Sequence, residues 1–279
     1  MHSSLTTQAV SSQSSKRQKL LATAQKTAYL LQSDVLTPSE SKELDALLGP
    51  DDPPAGSGDT YNDHGQCSPE HTQWKHSMNG VFLTLLRRFH HRSPTGTPLH
   101  VAYLDGPQMG TTRALRAGTH PQTTASLPEH PPLVLYVAND APATADIIQA
   151  SGLVDHVSHS AFNEALTSEW RDVPFAGAYV DLCTGTVATL LATLQHLFTS
   201  DRPRMHPFVL GYTLTARDPH GHPMDVRVLA VRKWLHAHPR FTGPSDGPSR
   251  IQEAEIILPE VAADHWSHQG TRTRFVVLG

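Results

Sequence analysis

The stretch LHVAYLDGPQMG, residues 99–110, decides the fold class of this 279-residue chain. Its first six residues form a short run that is apolar apart from His100, and an acid and two glycines follow at once. A run of this kind is typical of a strand buried on both faces of a sheet, and the glycines allow a tight turn behind it. We therefore predict a strand, a turn and then a helix over Arg113–Ala117.

Further short apolar runs repeat this pattern along the chain. They are Leu133–Ala138, Ala176–Leu182, Phe208–Leu214, Ala254–Leu258 and Arg274–Leu278. Several runs precede a helical pattern such as Thr186–Phe198, and strands that alternate with helices predict an α/β fold with a mostly parallel sheet. Because no clear helix separates the last two runs, we expect them to form an antiparallel strand pair at the C-terminal edge of the sheet.

The chain before residue 93 differs from the rest in composition and in the spacing of its apolar residues. Residues 1–15 are rich in Ser, Thr and Gln, and we expect them to form a disordered tail. Residues 16–92 carry apolar residues at helical spacing, with a Gly/Pro linker near residues 49–60 and a predicted helix over about Pro69–His90. The sequence thus predicts a helical segment ahead of one α/β domain that spans residues 93–279.

The composition excludes several classes of protein. Charged residues make up 17% of the chain, below the roughly 25% that is typical, and the net charge is −4. These values exclude a coiled coil, a collagen-like repeat and a uniformly basic binder. Two distant cysteines, Cys67 and Cys183, no secretory signal and no long apolar run predict an intracellular protein, cytoplasmic or nuclear, that does not cross a membrane.

The first candidate ligand site is the loop after the first predicted strand. In a parallel sheet, ligands bind at the carboxyl ends of the strands. Gly106 and Gly110 allow a ligand to approach the backbone closely, and Thr111 or Thr112 can cap the helix whose N–H groups would face that ligand. Asp105 suits two roles: it can align a bound ligand, or it can cap the turn that follows it.

Four more candidate residues lie near the later predicted strands. Asp140 stands at the end of the second run, where nucleotide-binding folds place a ribose-binding acid, although Asn139-Asp140-Ala141-Pro142 is also a good turn sequence. Ala161 and Phe162 precede the third run, and Asp181 lies at its end. A lone acid at a strand end is often a turn or cap residue, so both interpretations of Asp181 stay open.

This order of features resembles class I S-adenosylmethionine-dependent methyltransferases, which have a Rossmann-like fold. The resemblance covers residues 99–279, including a final strand pair like the sixth and seventh strands of that family. It implies that Asp105, Gly106, Gly110 and Thr111 contact S-adenosylmethionine. It also implies that Asp140 binds the ribose, that Ala161 and Phe162 contact the adenine, and that Asp181 is the catalytic or substrate-facing residue. The first motif is also similar to that of methyltransferase-like proteins of large DNA viruses.

The sequence departs from that family at two places. The glycines fall one and five residues after Asp105, rather than two and four, and no Asn/Asp-Pro-Pro-Tyr/Phe box follows the fourth strand. Two functions therefore stay open: a methyltransferase, or a catalytically inactive scaffold that serves as a nucleic-acid-binding or virion component. A nicotinamide-dependent oxidoreductase is disfavoured, because the chain has neither Gly-x-Gly-x-x-Gly nor Tyr-x-x-x-Lys.

The charge distribution leaves two interpretations open: a nucleic-acid acceptor, or helix faces that are simply solvated. Residues 74–116 hold six Lys/Arg and one acid, and residues 201–250 hold eight Lys/Arg and four acids. Such local positive fields can follow a phosphate backbone. The best candidate metal cluster is Asp264, His265 and His268, but no second segment supplies ligands at zinc spacing, so we expect no bound metal.

Overall fold

The structure is a computed structural model. It describes residues 69–91, 97–117, 131–182, 187–199, 203–215, 223–238, 241, 251–258, 266–268 and 271–279. The predicted tail, the linker and the helices before Pro69 lie outside the described residues, as do Cys67, Cys183, Asp264 and His265. No helix of the described part is both long enough and apolar enough to cross a membrane.

Eight strands form one sheet in the described part of the chain. They are β1 Leu99–Leu104, β2 Leu133–Ala138, β3 His156–Ser158, β4 Phe175–Asp181, β5 Arg204–Leu214, β6 Ile251–Glu253, β7 Ser267–His268 and β8 Thr271–Leu278. The order across the sheet is β3-β2-β1-β4-β5-β8-β6, and β7 pairs with β8. Strands β1 to β5 are parallel, whereas β8 runs antiparallel between β5 and β6. The predicted mostly parallel sheet with antiparallel C-terminal strands is confirmed.

Within the described ranges, seven helices accompany these strands. They are α1 Pro69–His90, α2 Gly110–Ala117, α3 Pro142–Ala150, α4 Phe162–Thr167, α5 Val187–Leu197, α6 Met224–Ala237 and α7 Ala254–Ile257. The helix that the sequence predicts over Pro69–His90 is confirmed as α1, and the one over Arg113–Ala117 is confirmed but begins earlier, at Gly110.

The structure corrects the prediction for residues 254–258. Ala254–Leu258 is not a strand: residues 254–257 form the single-turn helix α7, which the Leu258 N–H closes by donating to the Ala254 carbonyl at 2.7 Å. Ala254, Ile257 and Leu258 all pack on one hydrophobic cluster, and their spacing of three and four is helical. The partner of β8 is instead the preceding segment, β6. The edge strand β3 was also missed, because its three residues contain one apolar side chain, Val157.

Helix α1 belongs to the core of the domain. Its apolar stripe, which includes Met78, Phe82 and Leu86, is buried against one face of the sheet. The helix comes very close to β4 at Gly177, where an added Cβ would lie 2.7 Å from the Val209 carbonyl oxygen and 2.9 Å from Leu86 Cδ2. The first turns of α1 are thereby held in a fixed place relative to the central strands.

Candidate active site at the carboxyl edge of the sheet

The register of the strands brings four chain segments to one edge. Tyr103 pairs with Tyr179, so Asp105, just after β1, and Asp181, the last residue of β4, stand at the same level. Strand β2 ends beside β1 at the level of Leu104, and β3 ends beside β2 at the same level. Neighbouring strands lie about 4.8 Å apart, so the loops after β1, β2, β3 and β4 are close neighbours. We call this edge the carboxyl edge.

The Asp105 carboxylate organises the loop after β1. Its Oδ2 accepts hydrogen bonds from the Thr112 backbone N–H and the Thr112 hydroxyl, both at 2.8 Å, and its Oδ1 accepts one from the Gly106 N–H at 3.1 Å. Burial raises the pKa of Asp105, and the hydrogen bonds from Thr112 and Gly106 oppose this rise. The capping role that the sequence left open is therefore present: Asp105 folds the loop back onto the start of α2.

The rest of this loop contains one residue with a strained backbone and one glycine that has open space beside it. Met109 is buried and has a left-handed backbone, with a φ of 52°, which is unfavourable for a side chain of its size. An added Cβ at Gly110 would meet no atom of the described residues within 4 Å, so these residues leave space beside it. The Thr111 hydroxyl donates to Asn79 Oδ1 at 3.3 Å, which links α2 to α1.

The loop after β2 is tied to the loop after β1. Asn139 Nδ2 donates to the Asp105 carbonyl oxygen at 3.0 Å, and Asn139 Oδ1 accepts the Ala141 N–H at 2.9 Å. The side chain that forms the Asx-turn is thus Asn139 rather than Asp140. Asp140 is exposed at this turn, beside the Asp105 loop.

In the loop after β3, the two residues predicted to contact adenine differ in their exposure to solvent. Ala161 is exposed and precedes α4. The Phe162 side chain is only 5% exposed and contacts Trp170 edge-on, with ring centroids 6.2 Å apart. Ala161 is therefore the residue of this pair that a ligand at the carboxyl edge can reach.

At the end of β4, the Asp181 carboxylate contacts a side chain from α1. Asp181 Oδ2 accepts from Lys75 Nζ at 2.9 Å, and the side chains are 15% and 23% exposed, respectively. Three rings lie near this ion pair. His71, Trp74 and His268 have centroid separations of 5.4 Å, 5.5 Å and 5.8 Å, and we call them the ring cluster.

Sequence reasoning missed His71 and Lys75 as site residues. His71, Trp74 and Lys75 fall at helical spacing on α1, which places them on one side of the helix, but nothing local connects that side to β4. His268 was considered only as a metal ligand. Among the described residues, no group of three His, Cys, Asp or Glu side chains is arranged to hold a metal ion.

The surroundings of His71 favour its neutral form. Burial lowers the pKa of this imidazole, and the charges of Lys75 and His268 lower it further, while Asp181 opposes them. A neutral imidazole has one nitrogen with a lone pair that can accept a proton. The part of the site near β4 therefore contains a potential proton acceptor.

No protein-family model matches this chain, and no curated protein matches it. Among solved structures, the CurJ carbon methyltransferase gives a TM-score of 0.50 at 12% identity, over 96% of this chain and 71% of that one. The plantazolicin methyltransferase BpumL in complex with SAH gives 0.45 at 9% identity, over 95% of this chain and 99% of that one. The magnesium protoporphyrin IX methyltransferase from Synechocystis PCC 6803 with bound SAM gives 0.45 at 10% identity, over 79% and 89%.

These likenesses concern the fold, because sequence identity is low throughout. None of them indicates a viral origin for this chain. The described residues have the Rossmann-like fold of class I methyltransferases, with the antiparallel strand β8 placed between β5 and β6.

Proposed function

We propose that this protein is an S-adenosylmethionine-dependent methyltransferase. The observation that supports it most is the meeting of the loops after β1, β2 and β3 at one edge of a sheet with this strand order. In open α/β sheets, ligands bind outside the carboxyl ends of the strands. The neighbours crystallised with SAM or SAH support the choice of cofactor.

The residues at the carboxyl edge fit this cofactor. The space beside Gly110 allows close approach to the backbone, and the exposed Asp140 carboxylate can accept hydrogen bonds from a ribose diol. Ala161 presents an exposed surface for the adenine, and Asp105 holds the loop in shape. When bound, S-adenosylmethionine supplies an electrophilic methyl group on sulfur. These roles, and that of Thr111, stay predictions.

The sheet order disfavours a nicotinamide-dependent oxidoreductase. The usual dinucleotide-binding sheet has the order 3-2-1-4-5-6. Here the antiparallel strand β8 takes the place beside β5. The inactive scaffold remains the competing function, and a turnover assay separates it from the enzyme.

The acceptor predicted from charge, nucleic acid, stays a prediction within this proposal. Several basic side chains of residues 74–116 bond to the chain itself: Lys75 to Asp181, Arg113 to the Gln108 carbonyl and Arg116 to Asp155. These contacts compete with phosphate for the same cations. A small acceptor held near the end of β4 is the alternative to nucleic acid.

Calorimetric titration with SAH tests the cofactor assignment. We expect the wild type to bind, and Asp140→Ala to weaken binding by about 10- to 100-fold, since hydrogen bonds to a charged group are worth about 1.5–3 kcal/mol. The matched control is Asp172→Ala, which removes an exposed acid before β4, at the opposite end of that strand. Equal affinity of the two variants, or no binding by the wild type, would contradict the assignment.

Turnover is tested separately by following SAH formation from S-adenosylmethionine. The acceptors offered are small aromatic alcohols and amines, short peptides, DNA and RNA. SAH formation with any of them supports the enzyme, and the responding class identifies the acceptor. SAH binding without turnover of any acceptor favours the inactive scaffold.

A further inference from the structure

The first turns of α1 place three chemically distinct side chains on one side of the helix. His71, Trp74 and Lys75 are three and four residues apart, so they lie beside one another along the helix surface. The later turns of α1 are buried under the sheet. This packing fixes where the first turns lie, at the ends of β4 and β8.

The Lys75–Asp181 ion pair connects that side of α1 to the carboxyl edge. The two residues are 106 positions apart in the chain, and the Nζ–Oδ2 distance is 2.9 Å. Because Asp181 stands at the same level as Asp105, the pair lies one strand away from the loop proposed to hold the cofactor. A group beside Lys75 is therefore close to where a methyl group would be presented.

The ring cluster holds the imidazole of His71 in place. Trp74 is 8% exposed and stacks on His268 with an interplanar angle of 25°, and the His71 ring is tilted against both. His71 and His268 are half-buried, so part of each ring is exposed, although His71 Nδ1 is itself buried. Aromatic rings at 5–6 Å in tilted or stacked geometry also provide a surface on which another flat ring packs well.

Among the described residues, the charges that act on His71 come from three elements. Lys75 on α1 and His268 on β7 disfavour the imidazolium, as does burial, while Asp181 on β4 favours it. Since the disfavouring influences prevail, the ring stays neutral near neutral pH. A neutral imidazole positioned at a substrate is the most common general base in enzymes.

We propose that His71 is the general base of this methyltransferase and that its acceptor is a small aromatic hydroxyl compound. The inference rests on the proposed function and adds the substrate class. The acceptor hydroxyl gives its proton to a nitrogen of His71 as an oxygen electron pair forms the new bond to the methyl carbon. The carbon–sulfur bond breaks with its electron pair on sulfur, and the imidazolium later releases the proton to water. Lys75, held by Asp181, stabilises the developing phenolate and positions it.

A purely structural role for these residues makes different predictions. If His71 only packed against Trp74 and His268, its replacement would lower stability and leave the chemistry of a bound phenol unchanged. His71→Gln keeps a polar side chain of similar length but cannot act as a base near pH 7. His76→Gln is the matched control, because His76 is exposed on the same helix.

The first experiment does not depend on turnover. The protein is saturated with SAH, and 4-nitrophenol is added as a probe whose phenolate absorbs visible light. We expect the wild type and His76→Gln to bind the probe and raise its phenolate-to-phenol ratio about tenfold relative to free probe, equivalent to one pKa unit. His71→Gln should bind SAH with unchanged affinity and lose this shift. An equal shift in His71→Gln, or no probe binding, overturns the proposal.

The second experiment measures SAH formation with the phenol that turns over fastest. We expect His71→Gln to lower kcat by about 10²- to 10⁴-fold, the usual contribution of a general base, with KM changed less than about threefold. It should also remove the acid limb of the pH–rate profile. An unchanged kcat or an unchanged acid limb overturns the proposal. If the wild type binds no SAH, the proposed function fails instead, so the two failures are distinguishable.

Discussion

The acids at the ends of β1 and β4 stand at the same level in neighbouring strands, yet they bond to different kinds of partner. Asp105 is bonded to Gly106 and Thr112 of its own loop. Asp181 is bonded to Lys75, which belongs to a helix 106 residues earlier in the chain. Position at a strand end thus does not define a role: one carboxylate shapes a loop, and the other connects two distant segments at the candidate site.

The first prediction compares the stability of two variants. Asp105→Ala leaves two backbone N–H groups and the Thr112 hydroxyl without this acceptor, so we expect the free energy of unfolding to fall by about 2–4 kcal/mol. Asp181→Ala removes a partly exposed ion pair and should cost about 1 kcal/mol. Urea unfolding of both variants checks this. Equal losses of unfolding free energy would show that the two carboxylates contribute to stability in the same way.

The second prediction concerns the open side of the β1 loop. Gly110→Ala adds a methyl group that meets no atom of the described residues within 4 Å, so stability should change by less than about 1 kcal/mol. If the ligand packs against Gly110, the same methyl group should reduce SAH affinity by about tenfold, or 1.4 kcal/mol.

Gly177→Ala is the control for that experiment, because its new Cβ would lie 2.7 Å from a backbone oxygen. It should cost about 1–3 kcal/mol of unfolding free energy through overpacking. An undiminished SAH affinity in Gly110→Ala would place the ligand elsewhere.

The third prediction concerns the strength of the Lys75–Asp181 ion pair, which connects α1 to the end of β4. A double-mutant cycle of Lys75→Met and Asp181→Asn should give a coupling energy of about 1 kcal/mol in urea unfolding. The coupling should shrink at high salt, because both side chains are partly exposed. A coupling energy of zero would mean that the ion pair does not hold α1 to the carboxyl edge.

The fourth and smallest effect is the response of the two strand ends to acid. Below 6.5, the ordinary pKa of histidine, the unfolded chain binds a proton that folded His71 resists, so stability falls as the pH decreases through this window. Asp105 acts in the opposite direction. Its raised pKa means that, above 3.8, the folded chain keeps a proton that the unfolded chain has lost, so acidification adds stability there.

Melting temperatures of the wild type, His71→Gln and Asp105→Asn across pH 4 to 8 measure both effects. His71→Gln should flatten the slope just below 6.5, and Asp105→Asn the slope above 3.8. Unchanged slopes in both variants would contradict the pKa directions assigned to these groups.

The central strands could be predicted from the sequence because their signal is local. β1 and β2 begin and end where their apolar runs do, and β4 is shifted by one residue, since strands buried on both faces read as continuous apolar runs. The three residues of β3 and the single turn of α7 are too short for their periodicity to be read. Their conformation depends on which neighbours they meet in the sheet.

The candidate site likewise has one part that could be predicted from the sequence and one part that could not. The loop from Asp105 to Thr112 was identified because its acid, glycines and threonines are adjacent in the sequence. The relation of His71 and Lys75 to Asp181 arises only when α1 packs on the sheet, and no spacing along the chain reports it. Long-range packing therefore decides the half of the site that would govern acceptor chemistry.

Strand β8 alone among the long strands begins, rather than ends, at the carboxyl edge. Its antiparallel direction brings β7 there, joined to β8 by two residue pairs, whereas β5 and β8 share seven. Changes around β7 would therefore disturb little of the sheet while altering what stands beside Trp74. If the proposed function holds, β7 is the place where substitutions would change the choice of acceptor with the smallest loss of stability, which makes it the natural starting point for engineering specificity.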